Sequence, residues 1–308
     1  MHRTANQLVT AVWGASGIGR IHVREFTRAG ARVAGILGST ADSTARTTRC
    51  LNQEFGLNMV PFPDPQTMLA HGIQAVSICT PWDLHYDQIL WCLKNGLYVF
   101  CEKPLFWNEG DSTSEFERKC FHLLEQGGTR LGVNTANATL WDIIRKNFAL
   151  TVPFNIFSFD FITNGAHSHG AIGIDLLPHG LSIAQAFGLN GTPKNIRNSI
   201  EKTHFRTHFF LGDTECNFHF SQDPSGEKIL RLGFNDRYFI RESDTSNGTF
   251  NAYIKECGTE NRIQYQDPFT VYISDFVSRA SIGSNFLADA ERAIENLKWM
   301  NTILRSKL

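Results

Sequence analysis

Along the first 150 residues, short runs of apolar positions alternate with longer stretches in which apolar residues recur every three or four places. Runs of the first kind lie at 8–13, 32–37, 75–79, 97–101 and 130–134, with a shorter one at Val60. Their lengths, and the Gly14, Thr80-Pro81 and Pro104 that stop them, predict parallel strands buried on both faces. Stretches at 18–29, 43–55, 65–71, 86–95 and 113–126 predict helices. Strand and helix alternating in this way imply right-handed crossovers and a doubly wound parallel sheet, an α/β fold.

Near residue 150 the pattern changes. Residues 154–163 place Phe154, Ile156, Ser158, Asp160 and Ile162 on one face and Asn155, Phe157, Phe159 and Phe161 on the other. Aromatics on both faces predict a sheet covered on both sides. Further strands are expected at 205–211, 214–221, 229–234, 238–242 and 250–256, separated by turns at 223–226 and 246–248. One helix, about 172–187, interrupts this half. A closing helix at 286–304 shows Leu287, Ala290, Ile294, Leu297, Met300/Asn301 and Leu304 on one stripe. The expected division is a doubly wound α/β domain over 1–134 and a second, sheet-rich domain over 135–308, whose last helix can return to the first. So few helices leave an apolar sheet face uncovered, which predicts a homodimer or a dimer of dimers.

Composition narrows the function. A chain of 308 residues exceeds the usual reach of one core. A formal net charge of −1 without long charge runs argues against nucleic-acid binding through a broad basic face. No apolar stretch approaches the roughly 20 residues that span a bilayer, so no membrane partner is expected. The first residues lead almost directly into a strand, leaving no room for a signal peptide, and the seven cysteines are odd in number and scattered. Reduced thiols in a cytoplasmic protein are the expectation.

Three places carry chemistry. Gly14-Ala15-Ser16-Gly17-Ile18-Gly19 follows the first strand and opens a helix. A dinucleotide turn needs a glycine for the bend, a small residue against the pyrophosphate and a glycine for helix–strand contact. Gly14, Ser16 or Gly17, and Gly19 can fill those places, with the helix N-terminus at Ile18 towards the phosphates. The acid that reads an NAD ribose is missing from the end of the second strand, where Ser39 and Thr40 stand instead, with Arg46 and Arg49 nearby. That favours NADP over NAD. Lys103, in Cys101-Glu102-Lys103-Pro104, falls beyond the carboxyl end of a buried strand, where open α/β sheets bind ligands. Asp175 and His179, four apart, share one helical face, a pair suited to moving a proton near neutral pH. Trp82 could wall a pocket or fill the sheet rim. His167-Ser168-His169 lacks a third ligand at metal spacing and reads as a polar loop, so no metal is expected.

Taken in order, these residues resemble the Gfo/Idh/MocA family, the glucose–fructose oxidoreductase and inositol dehydrogenase superfamily. The matching positions are Gly14, Ser16, Gly19 and His22; Thr80, Pro81 and His85; Glu102, Lys103 and Pro104; Asn134; and Asp175 with His179. The resemblance implies an N-terminal Rossmann domain and a C-terminal α+β domain with a large, mostly antiparallel sheet that often joins a dimer. It implies an NAD(P)-dependent enzyme acting at a CH–OH carbon of a small carbohydrate-like substrate. Lys103 would contact the reacting hydroxyl and the nicotinamide ribose, His179 would be the acid/base, and Asp175 its partner. Thr80, Pro81, His85 and Glu102 would help hold the cofactor, and Trp82 and Asn134 would line the substrate pocket. Ser16 stands where glycine is usual, Trp82 where asparagine is common, and Thr135-Ala136 lacks the arginine often found after the asparagine.

The leading expectation is therefore an oxidoreductase working on a sugar, sugar phosphate, nucleotide sugar or polyol. Two others share the fold: a non-catalytic cofactor-binding sensor or regulator, and a glycosidase that uses bound NAD for transient oxidation. A sensor is expected to lose Lys103 or His179, and both are present.

Overall fold

The computed structural model describes residues 7–150, 153–224, 226–244 and 251–306. The elements run β1 (Val9–Trp13), α1 (Ile18–Arg28), β2 (Arg32–Leu37), α2 (Ala41–Phe55), β3 (Val60–Phe62), α3 (Pro65–Ala70), β4 (Ala75–Ile78), α4 (Trp82–Lys94), β5 (Tyr98–Cys101), α5 (Thr113–Gly127) and β6 (Leu131–Val133). There follow α6 (Thr139–Asn147), β7 (Ile156–Thr163), α7 (Gly170–Ala186), β8 (Lys194–Ile200), β9 (His204–Leu211), β10 (Thr214–Gln222), β11 (Ile229–Phe234), β12 (Arg237–Asp244), β13 (Asn251–Glu256), β14 (Arg262–Tyr265), α8 (Pro268–Ser281) and α9 (Leu287–Arg305).

Contacts divide the chain into two compact units. The first runs to Asn134 and takes in Phe269–Ile294; the second is Thr135–Pro268 with the chain from Glu295. Helix α8 and the first turns of α9 therefore count with the first unit, not with the second half of the sequence.

The first unit is built on a parallel sheet ordered β3-β2-β1-β4-β5-β6. Its strands are short and apolar because they are buried on both faces. Capping side chains start the helices that flank it. Thr40 accepts from the Ser43 amide at the head of α2, Asp64 from Thr67 ahead of Pro65, and Ser112 from Glu115. The strand order reverses between β1 and β4, the place where such sheets open a crevice.

The second unit centres on a sheet ordered β14-β13-β12-β11-β7-β10-β9-β8, antiparallel except between β7 and β10. Phe157, Phe159, Phe205, Phe209, Phe218 and Phe220 are buried on one face. Helix α7 lies close over the rings because Gly173 and Gly180, two turns apart, bring its backbone down. A Cβ at Gly180 would meet the rings of Phe159 and Phe218 at 2.7 and 2.8 Å.

On the opposite face, residues 156–163 of the strand contribute no aromatic side chain, only Ile156, Ser158, Asp160 and Ile162. Ser158, Asp160, His208, Asn217, His219, Arg206 and Arg231 line a polar hollow of about 390 Å³ there, and Arg231 pairs with Asp160. Phe154, before the strand begins, joins Trp141, Phe187 and Phe234 at 5.0–5.9 Å in the aromatic cluster. The opposite face is therefore mixed, with Ile156, Phe210 and Tyr238 standing beside the polar hollow.

Two helices and two strands lie where none was expected. Helix α6 buries Leu140, Trp141 and Ile144, a stripe interrupted by polar neighbours. Helix α8 buries Ile273, Phe276, Val277 and Ala280. Strands β8 and β14 close the sheet at its two edges, and edge strands need not be apolar. The expected turn at 246–248 and the start of the strand at Phe250 lie outside the described residues, as does Ser225 in the turn before β11.

Candidate active site

Because the first sheet is parallel, every strand delivers its carboxyl end to one edge. In spatial order that edge carries Ser39 and Thr40 after β2, Gly14–Gly19 after β1, Thr80-Pro81-Trp82 after β4, Glu102-Lys103 after β5 and Asn134 after β6. Five separate pieces of the sequence reading thus meet on one rim of one unit. Asp175 and His179 belong to the other unit.

The turn after β1 is shaped by contact. Gly14 has φ +89°, and a Cβ there would meet the Cys79 carbonyl and the Thr80 amide nitrogen within 2.8–2.9 Å. A Cβ at Gly19 would come to 2.1 Å from the Gly14 carbonyl oxygen, so α1 rises directly off the turn. Gly17, by contrast, has open space beside it at φ +62° and caps α1 without any side-chain hydrogen bond. Open space over uncapped first-turn amides fits the pyrophosphate of a dinucleotide. The residues present therefore fit an NAD(P) group.

The tip of β2 is less open to a phosphate than the sequence implied. Thr40 is committed to the helix: its hydroxyl accepts from the Ser43 amide and donates to the Ser43 hydroxyl at 2.8 Å. Ser39 is exposed beside it.

Glu102 turns inward. It is 6% exposed, and its Oε1 accepts from His22 Nε2 at 2.7 Å and from Asn134 Nδ2 at 2.5 Å. His22, wholly buried on α1, has its Nδ1 2.7 Å from the Ser77 hydroxyl. Burial alone would lower the pKa of this ring, but the Cys79 sulfur nearby and the Glu102 carboxylate in contact push it up to about 10. Burial likewise opposes charge on Glu102, and the His22, Asn134 and Lys103 groups together hold its pKa below the usual value. The pair is an imidazolium and a carboxylate inside the first unit. Lys103, next along the chain and half-buried, follows on the rim, and the peptide bond to Pro104 is cis.

His85 also has a supporting place. Its two ring nitrogens lie 2.7 Å from the Thr80 carbonyl and 2.9 Å from the Pro104 carbonyl, tying the loops after β4 and β5 together. Burial lowers its pKa, so the neutral ring donates to one of the two. The Thr80 hydroxyl donates to Gln88 at 2.5 Å. Trp82 is half-buried at the first turn of α4, and Asn134 is buried with its Oδ1 without a protein partner among the described residues.

In the second unit, Asp175 and His179 project from α7 one turn apart, both half-buried. Gln222, at the end of β10, donates its side-chain amide to Asp175 Oδ2 at 2.5 Å while its carbonyl accepts from the His167 amide at 2.7 Å. The Phe161 ring stands edge-on to the His179 imidazole at 5.1 Å. The two side chains thus share one face of α7, one turn apart. Among the described residues no cluster of His, Cys, Asp or Glu could hold a metal ion, and all seven cysteines are free thiols.

A sequence model for the Gfo/Idh/MocA group, an oxidoreductase family with an NAD-binding Rossmann fold, matches residues 8–135. Over that stretch the chain is similar to the Gfo/Idh/MocA family. The chain is 36% identical over 92 residues to an uncharacterized oxidoreductase, YfiI, of Bacillus subtilis (strain 168), covering 26% of this chain and 22% of that one. It is 32% identical over 104 residues to D-glucoside 3-dehydrogenase of Escherichia coli (strain K12), covering 33% and 28%. The matches thus span under a third of each curated relative. The fold extends further: UDP-N-acetylglucosamine 3-dehydrogenase GnnA of Acidithiobacillus ferrooxidans superposes with TM-score 0.67 at 17% identity, over 97% of this chain and 99% of that one. A parallel Rossmann sheet followed by a mostly antiparallel sheet is therefore a fold that the chain shares with that dehydrogenase over both halves.

His22 and Gln222 are the supporting residues that sequence reasoning passed over. His22 stood in the family pattern without a role. Its signal was local: a histidine on the stripe of Gly19, Val23 and Phe26, the buried face of α1, needs a buried partner. For Gln222 no local signal existed, since 47 residues separate it from Asp175.

Proposed function

We propose that the chain is an NAD(P)-dependent oxidoreductase acting on a CH–OH or carbonyl carbon of a sugar, sugar phosphate, nucleotide sugar or polyol. The observation that carries this is the inward turn of Glu102 onto His22, which leaves Lys103 on the ligand edge of a Rossmann sheet. Lys103 stabilises the alkoxide that develops on the substrate oxygen. His179 takes the hydroxyl proton in the oxidation direction and returns it in reduction, with Asp175 orienting the ring. An NAD(P) group held at the turn after β1 would supply the hydride chemistry. The D-glucoside and UDP-N-acetylglucosamine dehydrogenases named above, both acting on sugars, support the substrate class. Seven free thiols suit a reducing compartment, so the proposed setting is the cytoplasm.

Replacing Lys103 or His179 by Ala is expected to leave cofactor binding nearly intact and to lower turnover by about 10²-fold or more. Near-normal turnover would remove that residue from the mechanism. Release of a cleaved sugar with no net change in NAD(P)H would replace the reading with a glycosidase.

A further inference from the structure

We infer that His22 is a positioning residue for Lys103: by holding the Glu102 carboxylate inside the first unit, it keeps the lysine on the rim of the sheet. The inference rests on the role proposed above for Lys103, and its test does not.

Glu102 is pinned twice. Its backbone amide donates to the Ile78 carbonyl at 2.9 Å, and its side chain accepts from His22 and Asn134. Lys103, half-buried, follows at the bend just beyond β5, on the ligand edge of the sheet. Of these two side-chain donors, His22 is the one that can bring a full charge, since Asn134 is neutral. The ring itself is fixed on every side: Ser77 takes its other nitrogen, and Phe26, Phe100 and Phe269 surround it at 5.6–6.4 Å.

A buried carboxylate stripped of its cation must find another or lose its charge. Lys103 is the other cation whose field already lowers the pKa of Glu102. Without the imidazolium, Glu102 turns to its own neighbour in sequence and draws the ammonium away from the ligand edge. His22 thus prevents the Glu-Lys dipeptide from pairing with itself.

The test measures acylation of the Lys103 amine by an activated ester, read residue by residue by mass spectrometry on the intact protein without cofactor or substrate. His22→Gln keeps a donor but removes the charge. It is expected to slow Lys103 labelling by about threefold or more, the low end of coupling within one polar network, with exposed Lys94 unchanged as the internal control. Adding Glu102→Gln, which leaves no carboxylate to capture the lysine, is expected to restore the rate. An unchanged or faster rate in His22→Gln, or no recovery in the double variant, overturns the inference. A second measurement needs no variant: ring nitrogen shifts should show His22 doubly protonated at about pH 8, and a neutral ring there overturns it equally. Normal turnover in Lys103→Ala would overturn the proposed function and leave these labelling results as they are.

Discussion

The buried His22–Glu102 pair links protonation to stability in a direction that can be measured. In the unfolded chain the imidazole titrates near its ordinary 6.5, whereas in the folded protein it holds its proton to about 10. Between those values the folded state binds one proton more than the unfolded state, so stability falls as pH rises. Below 6.5 the contribution is fully present, and it disappears as pH passes through 10. Each pH unit in the window removes about 1.4 kcal/mol. The whole interval is worth about 3–5 kcal/mol, the range for breaking one side of a buried ion pair. For a chain this size that is a large share of a total stability of roughly 5–15 kcal/mol.

The assay is denaturant unfolding followed by tryptophan fluorescence at a series of pH values from 6 to 10, on the unmodified protein and on His22→Gln. Cysteines, tyrosines and lysines also titrate in this range, so the difference between the two curves is the quantity to read. The unmodified protein should lose several kcal/mol more than the variant over the window. Glu102 adds the opposite limb. Its pKa is lowered on folding, so its stabilisation is present above about 4.5 and is lost as pH falls through the folded value. Parallel curves for the two proteins from pH 6 to 10 would refute the buried imidazolium.

Three further outcomes are expected. Gly19→Ala should destabilise by about 1–3 kcal/mol or more and weaken cofactor binding, because its Cβ would strike the Gly14 carbonyl oxygen; Gly17→Ala, strained only in its backbone, should cost about 1 kcal/mol, and equal effects would contradict the contact. Ser39→Asp should weaken NADP by repelling the 2′-phosphate, and a strong preference of the unmodified protein for NAD in calorimetric titration would refute the NADP reading. Sedimentation at micromolar concentration should show a homodimer or a dimer of dimers joined through the second sheet, and a clean monomer would defeat that proposal.

Legibility followed the range over which each signal acts. The parallel sheet was readable because strands buried on both faces are apolar without interruption and their helices repeat every 3.6 residues. The turn after β1 was readable because its glycines answer contacts within one βα unit. Edge strands β8 and β14 were not, since none of their residues is fully buried and the ladder there is held by backbone bonds. Helices α6 and α8 sat beside regions of changing pattern, where short amphipathic stripes compete with loop signals.

The strand at 154–163 shows how a correct period can carry a wrong conclusion. Its alternation is real: Phe157, Phe159 and Phe161 are buried while Ser158, Asp160 and Ile162 are half-exposed. Phe154 and Ile156 were read as the start of a second apolar face, but Phe154 precedes the strand and folds into the cluster with Trp141 and Phe187. That leaves Ile156, with Phe210 in the same row two strands away, beside a row of Ser158, Asn217, His208 and Arg197. A surface so charged and hydrogen-bonded gains little from burial by area alone. If a second copy docks there, Arg231 and Asp160, already paired at the centre of the hollow, must be satisfied in the joined state as they are in the free one. Association of that kind weakens with added salt, whereas the apolar contact first expected from the sequence would not. Sedimentation at low and high ionic strength therefore separates the two, and a dimer indifferent to salt would place its interface elsewhere on the chain.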